Sequence, residues 1–485
     1  MDTLVRFSGA VPRIPGVNFS YPVDWQVDKG EIWSVVGDNG SGKTLLAEVM
    51  AGQHGLSAGE LEYPFMKEMQ EADSERMLHP WQYIRLVSFN AAYSIVDFKT
   101  LYYQQRFNNT DTDASPLVAD LTDAAMFGNG VGPEVRKMFE LDRLAGKKLI
   151  HLSSGELRKL LIAKSMIGSP RLLIFDNPFI GLDVDSRRQL NGLFVRMNRE
   201  GLGLIFLVPS LADMPACTTD VLQMEQCRVT NICPADIFRG MCAEPVLPDI
   251  HPVWRQAPAD EYESSASDEV VKMEDIDIAY GSYVVRSAVN WAIRKGEKWA
   301  LLGPNGSGKS TLLSYIFADN PQAYAKRLSL FGRRRGTGES IWEIKARIGF
   351  TSSEMHLYYR ENVPCLSVVA SGFFDSIGLY RRCSDGQMQT ARQMLGIVGC
   401  EHLSSQPFLR ISSGEQRLVL FARSLVKNPD LLILDEPFHG LDAGNKLLCR
   451  SIVESYCSQP GKTLIYVTHR REEIPACVDR FMELG

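Results

Sequence analysis

Short apolar runs, each closed by a polar turn, recur along this chain. Trp299-Ala300-Leu301-Leu302 and Ile32-Trp33-Ser34-Val35-Val36 read as buried strands, as do residues 172–175, 431–434 and 464–468. Leu312-Leu313-Ser314-Tyr315-Ile316 reads as a helix, and Val270-Val271-Lys272-Met273-Glu274 alternates like a half-buried strand. Residues 133–149 and 385–403 read as helical and predict a helical subdomain in each half. Apolar strands alternating with helical patterns predict an α/β core whose parallel strands are buried on both faces.

The pattern occurs twice. Lys43 and Lys309 stand 266 positions apart, and residues 25–33 match residues 291–299 at that offset. Further on, Leu152-Ser153-Ser154-Gly155-Glu156 matches Ile411-Ser412-Ser413-Gly414-Glu415, and residues 172–179 match 431–438, both at an offset of 259. Landmarks in the same order indicate an internal duplication. The drop in offset places a longer insert in the first copy, around residues 108–132. Residues 245–267 are rich in proline, serine and acidic groups and read as a linker. The predicted division is 1–244, a linker at 245–268, and 269–485.

Composition narrows the class. The chain has 485 residues, enough for two to four domains, and its 45% hydrophobic and 23% charged residues are those of an ordinary soluble protein. A net charge of −6 counts against a general nucleic-acid binder. Ten cysteines include no C-x-x-C pair, and Cys217, Cys227, Cys233 and Cys242 match no zinc spacing; reduced, mostly buried thiols in a cytoplasmic protein are expected. No signal peptide and no run of about 20 apolar residues is visible, so any membrane role needs another chain to do the spanning.

The candidate chemistry begins at Gly303-Pro304-Asn305-Gly306-Ser307-Gly308-Lys309-Ser310-Thr311, which fits the phosphate-binding P-loop G-x-x-x-x-G-K-[ST] between a strand and a helix. Its glycines let backbone N–H groups face phosphate oxygens, the helix start adds positive partial charge, Lys309 reaches the terminal phosphates, and Ser310 offers a hydroxyl to Mg²⁺. Gly37-Asp38-Asn39-Gly40-Ser41-Gly42-Lys43-Thr44 repeats the element. Arg333 to Arg335, between Gly332 and Gly336, read as a solvated turn rather than a partner site.

The combination resembles the ABC ATPase superfamily over nearly the whole chain. A serine-glycine signature is followed about twenty residues later by an apolar run ending Asp-Glu-Pro, then Gly-Leu-Asp. The resemblance implies two P-loop NTPase domains, each with a mixed or parallel sheet and a helical subdomain, which pair head to tail around ATP and Mg²⁺. Asp435 would hold Mg²⁺ with Ser310, and Asp176 with Thr44. Glu436 would polarise the attacking water, and His469 would sense the γ-phosphate. Tyr280, 29 positions before Lys309, would stack on adenine, although an isolated tyrosine also suits a core. Gly303, Asn305, Gly306, Gly308, Lys309, Ser310 and Thr311 would cradle one nucleotide, closed by Ser153, Ser154, Gly155 and Glu156. Gly37, Asn39, Gly40, Gly42, Lys43 and Thr44 would cradle the other, closed by Ser412, Ser413, Gly414 and Glu415.

The first copy departs from that pattern. Asn177 stands where Glu436 stands in the second, Pro209 matches His469, and Ile14 matches Tyr280. An amide does not take a proton from water as a carboxylate does. One hydrolytic site and one degenerate nucleotide site are expected. Neither copy has the superfamily's loop glutamine: the positions fall on Ser353 and Phe89.

Residues 330–336, 339–345, 375–378 and 105–111 resemble the ModF family, tandem ABC ATPases associated with molybdate transport and also called photorepair protein A. That resemblance implies an ATPase energising or regulating molybdate uptake through a membrane permease in another chain. It would sit in the cytoplasm or on the inner face of the membrane. The alternative is a soluble mechanochemical ATPase acting on DNA or ribosomes.

Overall fold

The computed structural model describes residues 3–72, 78–88, 116–123, 133–149, 152, 154–180, 182–241, 268–280, 283–317, 319–352, 355, 359 and 361–484. The chain divides into two compact units. The first gathers Met1–Phe98 and Ala114–Glu244, and the second Pro245–His439 and Gly444–Gly485. The linker at 245–267, most of the 108–132 insert, Ser353 and Phe89 lie outside the described residues.

In the first unit, β1 (Thr3–Ile14) pairs antiparallel with β2 (Val17–Asn18), β3 (Val23–Asp28) and β5 (Leu56–Glu62). A second sheet carries β4 (Ile32–Val36), β6 (Ile84–Ser88), β7 (Leu172–Asp176), β8 (Gly203–Val208), β9 (Asp220–Glu225) and β10 (Arg228–Pro234). Its order is β10-β9-β4-β8-β7-β6, parallel throughout except for the β9–β10 hairpin at one edge.

The continuous apolar runs of β7 and β8 follow from burial on both faces. Leu173, Phe175, Leu204 and Phe206 enter one core cluster, whereas Leu172, Ile174, Ile205 and Leu207 enter the other. Successive side chains of a strand point to opposite faces, so a strand with no solvated face shows no polar alternation.

The second unit repeats the plan. The strands β11 (Glu269–Tyr280), β12 (Tyr283–Arg294), β14 (Arg327–Leu330) and β15 (Arg333–Arg334) form an antiparallel sheet. A parallel sheet runs in the order β16 (Ile348–Ser352), β17 (Leu431–Asp435), β18 (Thr463–Val467), β13 (Lys298–Leu302), β19 (Arg480–Glu483). The expected helical subdomains are present as Pro133–Met138 and Leu141–Leu144 in one unit and Asp385–Ile397 in the other.

One expectation is corrected. Arg333 and Arg334 are exposed, but Arg335 is only 3% exposed. Its guanidinium meets Glu339 at 2.8 Å and lies over the Tyr324 ring. The run is therefore half turn, half buried ion pair. The nine described cysteines are free, four of them buried.

Candidate functional site

Each P-loop joins a buried strand to a helix: β4 to α1 (Lys43–Met50), and β13 to α2 (Lys309–Ile316). The residue before each helix is in the left-handed region, Gly42 at φ 93° and Gly308 at φ 94°. Only glycine adopts that conformation without steric cost, so the motif's third glycine is required by the backbone itself. Backbone N–H groups in the first turn of a helix have no partner within the helix and favour an anion.

The lysines curl over their own loops. Lys309 Nζ donates to the carbonyls of Gly303 at 2.6 Å and Pro304 at 2.8 Å. Lys43 Nζ donates to Gly37 at 2.7 Å, Asp38 at 2.8 Å and Ser41 Oγ at 3.2 Å. Burial pushes the Lys43 ammonium down to about 8, with Asp176 and Asp38 pulling the other way. Ser307 Oγ is buried with no hydrogen-bond partner among the described residues.

The metal-binding expectation is placed by the ends of the parallel strands. Ser310 Oγ faces Asp435 Oδ2 at 3.4 Å, and Thr44 Oγ1 faces Asp176 Oδ2 at 3.2 Å. A hydroxyl and a carboxylate converging beside a phosphate loop form an all-oxygen donor set, which fits Mg²⁺.

Beyond Asp435 the chain turns sharply. Glu436 sits at φ 49°, its N–H on Val467 O at 2.9 Å. Its side chain is 10% exposed and is held at both oxygens: His469 Nδ1 lies 3.0 Å from Oε1, and His439 Nδ1 lies 2.8 Å from Oε2. The two rings are 4.9 Å apart and tilted by 58°. Burial opposes the Glu436 charge, but the charge of His439 and hydrogen bonds from both imidazoles outweigh it and hold the carboxyl well below the usual range. His469 Nε2 is buried with no hydrogen-bond partner among the described residues, leaving that atom for a ligand.

The equivalent turn of the first unit keeps the backbone and carries different side chains. Asn177 sits at φ 52°, its N–H on Leu207 O at 2.9 Å, and its amide donates to Asp176 Oδ1 at 3.2 Å. Pro209 follows β8 where His469 follows β18.

The signatures open two further helices, α3 (Ser154–Ser165) and α4 (Ser413–Leu425). At α4 the Ser-Ser-Gly-Glu sequence is a capping box. Glu415 N donates to Ser412 Oγ at 3.3 Å, and Glu415 Oε2 accepts from Ser412 N at 2.8 Å and from Ser412 Oγ at 2.7 Å. The extra carboxylate therefore serves the helix start. In the first unit Glu156 instead pairs with Lys147 at 2.7 Å. Ser153 and the side chains of Ser154 and Tyr280 lie outside the described residues; Tyr280 ends β11, and Ile14 ends β1.

The residue that sequence reading passed over is His439. Its signal was available: at the offset of 259 its counterpart is Ile180, so the turn that loses its glutamate loses this histidine as well.

A family model described as ABC transporter matches residues 21–180 and again 287–439. The chain is 33% identical over 470 residues to the ABC transporter ATP-binding protein ModF of Escherichia coli, covering 94% of this chain and 92% of that protein. It is 29% identical to an uncharacterized ABC transporter ATP-binding protein of Schizosaccharomyces pombe, covering 94% and 93%. Among solved structures it resembles a chain of a model of ribosome-bound archaeal Pelota and ABCE1, with a TM-score of 0.61 and 20% identity over 98% of this chain and 76% of that one. It also resembles a chain in the crystal structure of the complex of archaeal ribosomal stalk protein aP1 and archaeal ribosome recycling factor aABCE1, with a TM-score of 0.54 and 19% identity over 98% and 87%. These structural likenesses establish the fold alone. Matched twice by the family model and along most of its length by curated relatives, the chain belongs to the ABC transporter family of ATP-binding proteins and is a tandem ABC-type ATPase.

Proposed function

We propose that the second unit, residues 269–485, carries the hydrolytic site and that the first, residues 1–244, holds nucleotide with little turnover. One observation supports this most. Glu436 is a buried carboxylate gripped by two imidazoles at the end of a strand beside the P-loop, whereas Asn177, Ile180 and Pro209 occupy the matching places. In this reading Glu436 takes the proton of the attacking water, Lys309 grips the terminal phosphates, and His469 donates to the γ-phosphate. Mg²⁺, when bound, neutralises phosphate charge; Ser310 and Asp435 would hold it in one site, and Thr44 and Asp176 in the other. The Ser-Ser-Gly-Glu turns are assigned to nucleotide contact on the family resemblance.

The test is phosphate release by purified full-length protein. Glu436→Gln is expected to lower it by roughly 10²–10⁴-fold, and Asn177→Ala to leave it within about twofold. Equal losses from the two variants would overturn the assignment.

For the physiological role, resemblance to the ModF family supports an ATPase that energises or regulates molybdate uptake through a permease in another chain. Among the described residues no helix is long and apolar enough to cross a membrane. Affinity capture with the ATP-loaded Glu436→Gln protein is expected to bring down a membrane permease. Capture of ribosomes or DNA in its place would reject this reading.

A further inference from the structure

A carboxylate that prepares water for attack must keep one oxygen fixed and offer the other. Glu436 has three rotatable bonds, and a single hydrogen bond would leave it free to pivot. Here each of its oxygens takes one imidazole hydrogen bond and keeps a lone pair for a further donor.

The two holds are placed differently. Ionised Glu436 only accepts, so both imidazoles donate from Nδ1. His469 comes from the end of β18, and its Nε2 has no hydrogen-bond partner among the described residues, so in the proposed reading this ring also serves the γ-phosphate.

His439 holds the other oxygen. It is 3% exposed and sits on the same tight turn as Glu436, its own N–H returning to Glu436 O at 3.3 Å. The turn itself does not require an imidazole. In the first unit Ile180 N returns to Asn177 O at 3.3 Å, and the backbone closes the same way.

We infer that His439 is a positioning residue for hydrolysis: it anchors Oε2 of Glu436 so that Oε1 faces the attacking water. This inference rests on the proposed hydrolytic role of the second unit.

The test compares His439→Ala, His439→Asn and His439→Gln in the full chain, reading kcat, KM, the Kd of a non-hydrolysable ATP analogue with Mg²⁺, and thermal midpoint. An asparagine amide can occupy the place of Nδ1, whereas a glutamine amide reaches toward Nε2. His439→Ala is expected to lower kcat by about tenfold to a hundredfold with KM and Kd within about twofold. His439→Asn should recover most of the loss, and His439→Gln should not. A wild-type kcat in His439→Ala would overturn the inference. So would a His439→Asn protein that melts like wild type yet turns over no faster than the alanine variant. Should the alanine variant fail to fold, His439→Leu against His439→Asn carries the same comparison. Glu436→Gln run beside them separates the two failures: full activity there removes the hydrolytic assignment, whereas an inactive Glu436→Gln with a fully active His439→Ala removes only the role of His439.

Discussion

In one half of the chain Glu436 lies at φ 49° with its N–H on Val467 O at 2.9 Å; in the other Asn177 lies at φ 52° with its N–H on Leu207 O at 2.9 Å. The same turn follows the same strand, and the P-loop before it curls its lysine over the same carbonyls. What differs is three side chains: Glu436, His439 and His469 against Asn177, Ile180 and Pro209. Backbone geometry here is set by strand packing and ladder hydrogen bonds, which are indifferent to those side chains. The backbone of the phosphate loop and the side chains proposed to carry hydrolysis are thus separable, and the second can change without disturbing the first.

The sharpest way to break the comparison is to remove the carboxylate from one side and the amide from the other. A loss of roughly 10²–10⁴-fold in Glu436→Gln against near wild-type rate in Asn177→Ala is the largest expected difference.

Next comes the lysine of the first site. Its pKa is lowered to about 8, so the folded state binds fewer protons there than the unfolded state, and its cost is full below that pH. The cost is relieved as pH rises from about 8 toward the unfolded value of about 10.4. Denaturant unfolding of wild type and Lys43→Met should therefore show wild type gaining on the variant across that window, by at most about 3 kcal/mol. A constant gap would mean Lys43 is not strained by burial.

A smaller effect runs the comparison backwards. Asn177→Glu with Ile180→His and Pro209→His, placed in the Glu436→Gln background, should raise phosphate release by about tenfold, whereas Asn177→Glu alone should not. The smallest concerns the signature helices. Glu415→Ala removes a capping box and should cost about 1 kcal/mol, whereas Glu156→Ala removes a half-exposed pair with Lys147 and should cost no more than about 0.5 kcal/mol; chemical denaturation reads both.

Much of this was legible in the chain. Runs such as 172–175 and 431–434 announced strands buried on both faces, because a strand with one solvated face would not leave four residues in a row without a polar one. The P-loops and the carboxylates after them were legible because phosphate chemistry demands fixed spacings. Other features were hidden by their nature. The role of Glu415 was written as Ser-x-x-Glu, a capping signature, but the same letters sat inside a nucleotide motif and were assigned to nucleotide closure. Arg335 was grouped with two exposed neighbours, and only the fold separates it, through Glu339 and the Tyr324 ring. His439 lies three residues from Glu436, yet whether its ring meets that carboxylate depends on a turn with positive φ, which no periodicity reports. Most of the antiparallel sheets also escaped, since their strands, such as β12, are half polar and carry no motif.

The left-handed backbone shared by positions 177 and 436 sets unequal costs on its two occupants. Asparagine rests in that conformation with little penalty, whereas glutamate is held there against a cost of roughly 1–2 kcal/mol. If the first half is not called on to cleave, as proposed, asparagine there makes the fold more stable. Placing glutamate at 177 would demand a destabilising step, and two more substitutions before any benefit appears. The turn would then act as a ratchet.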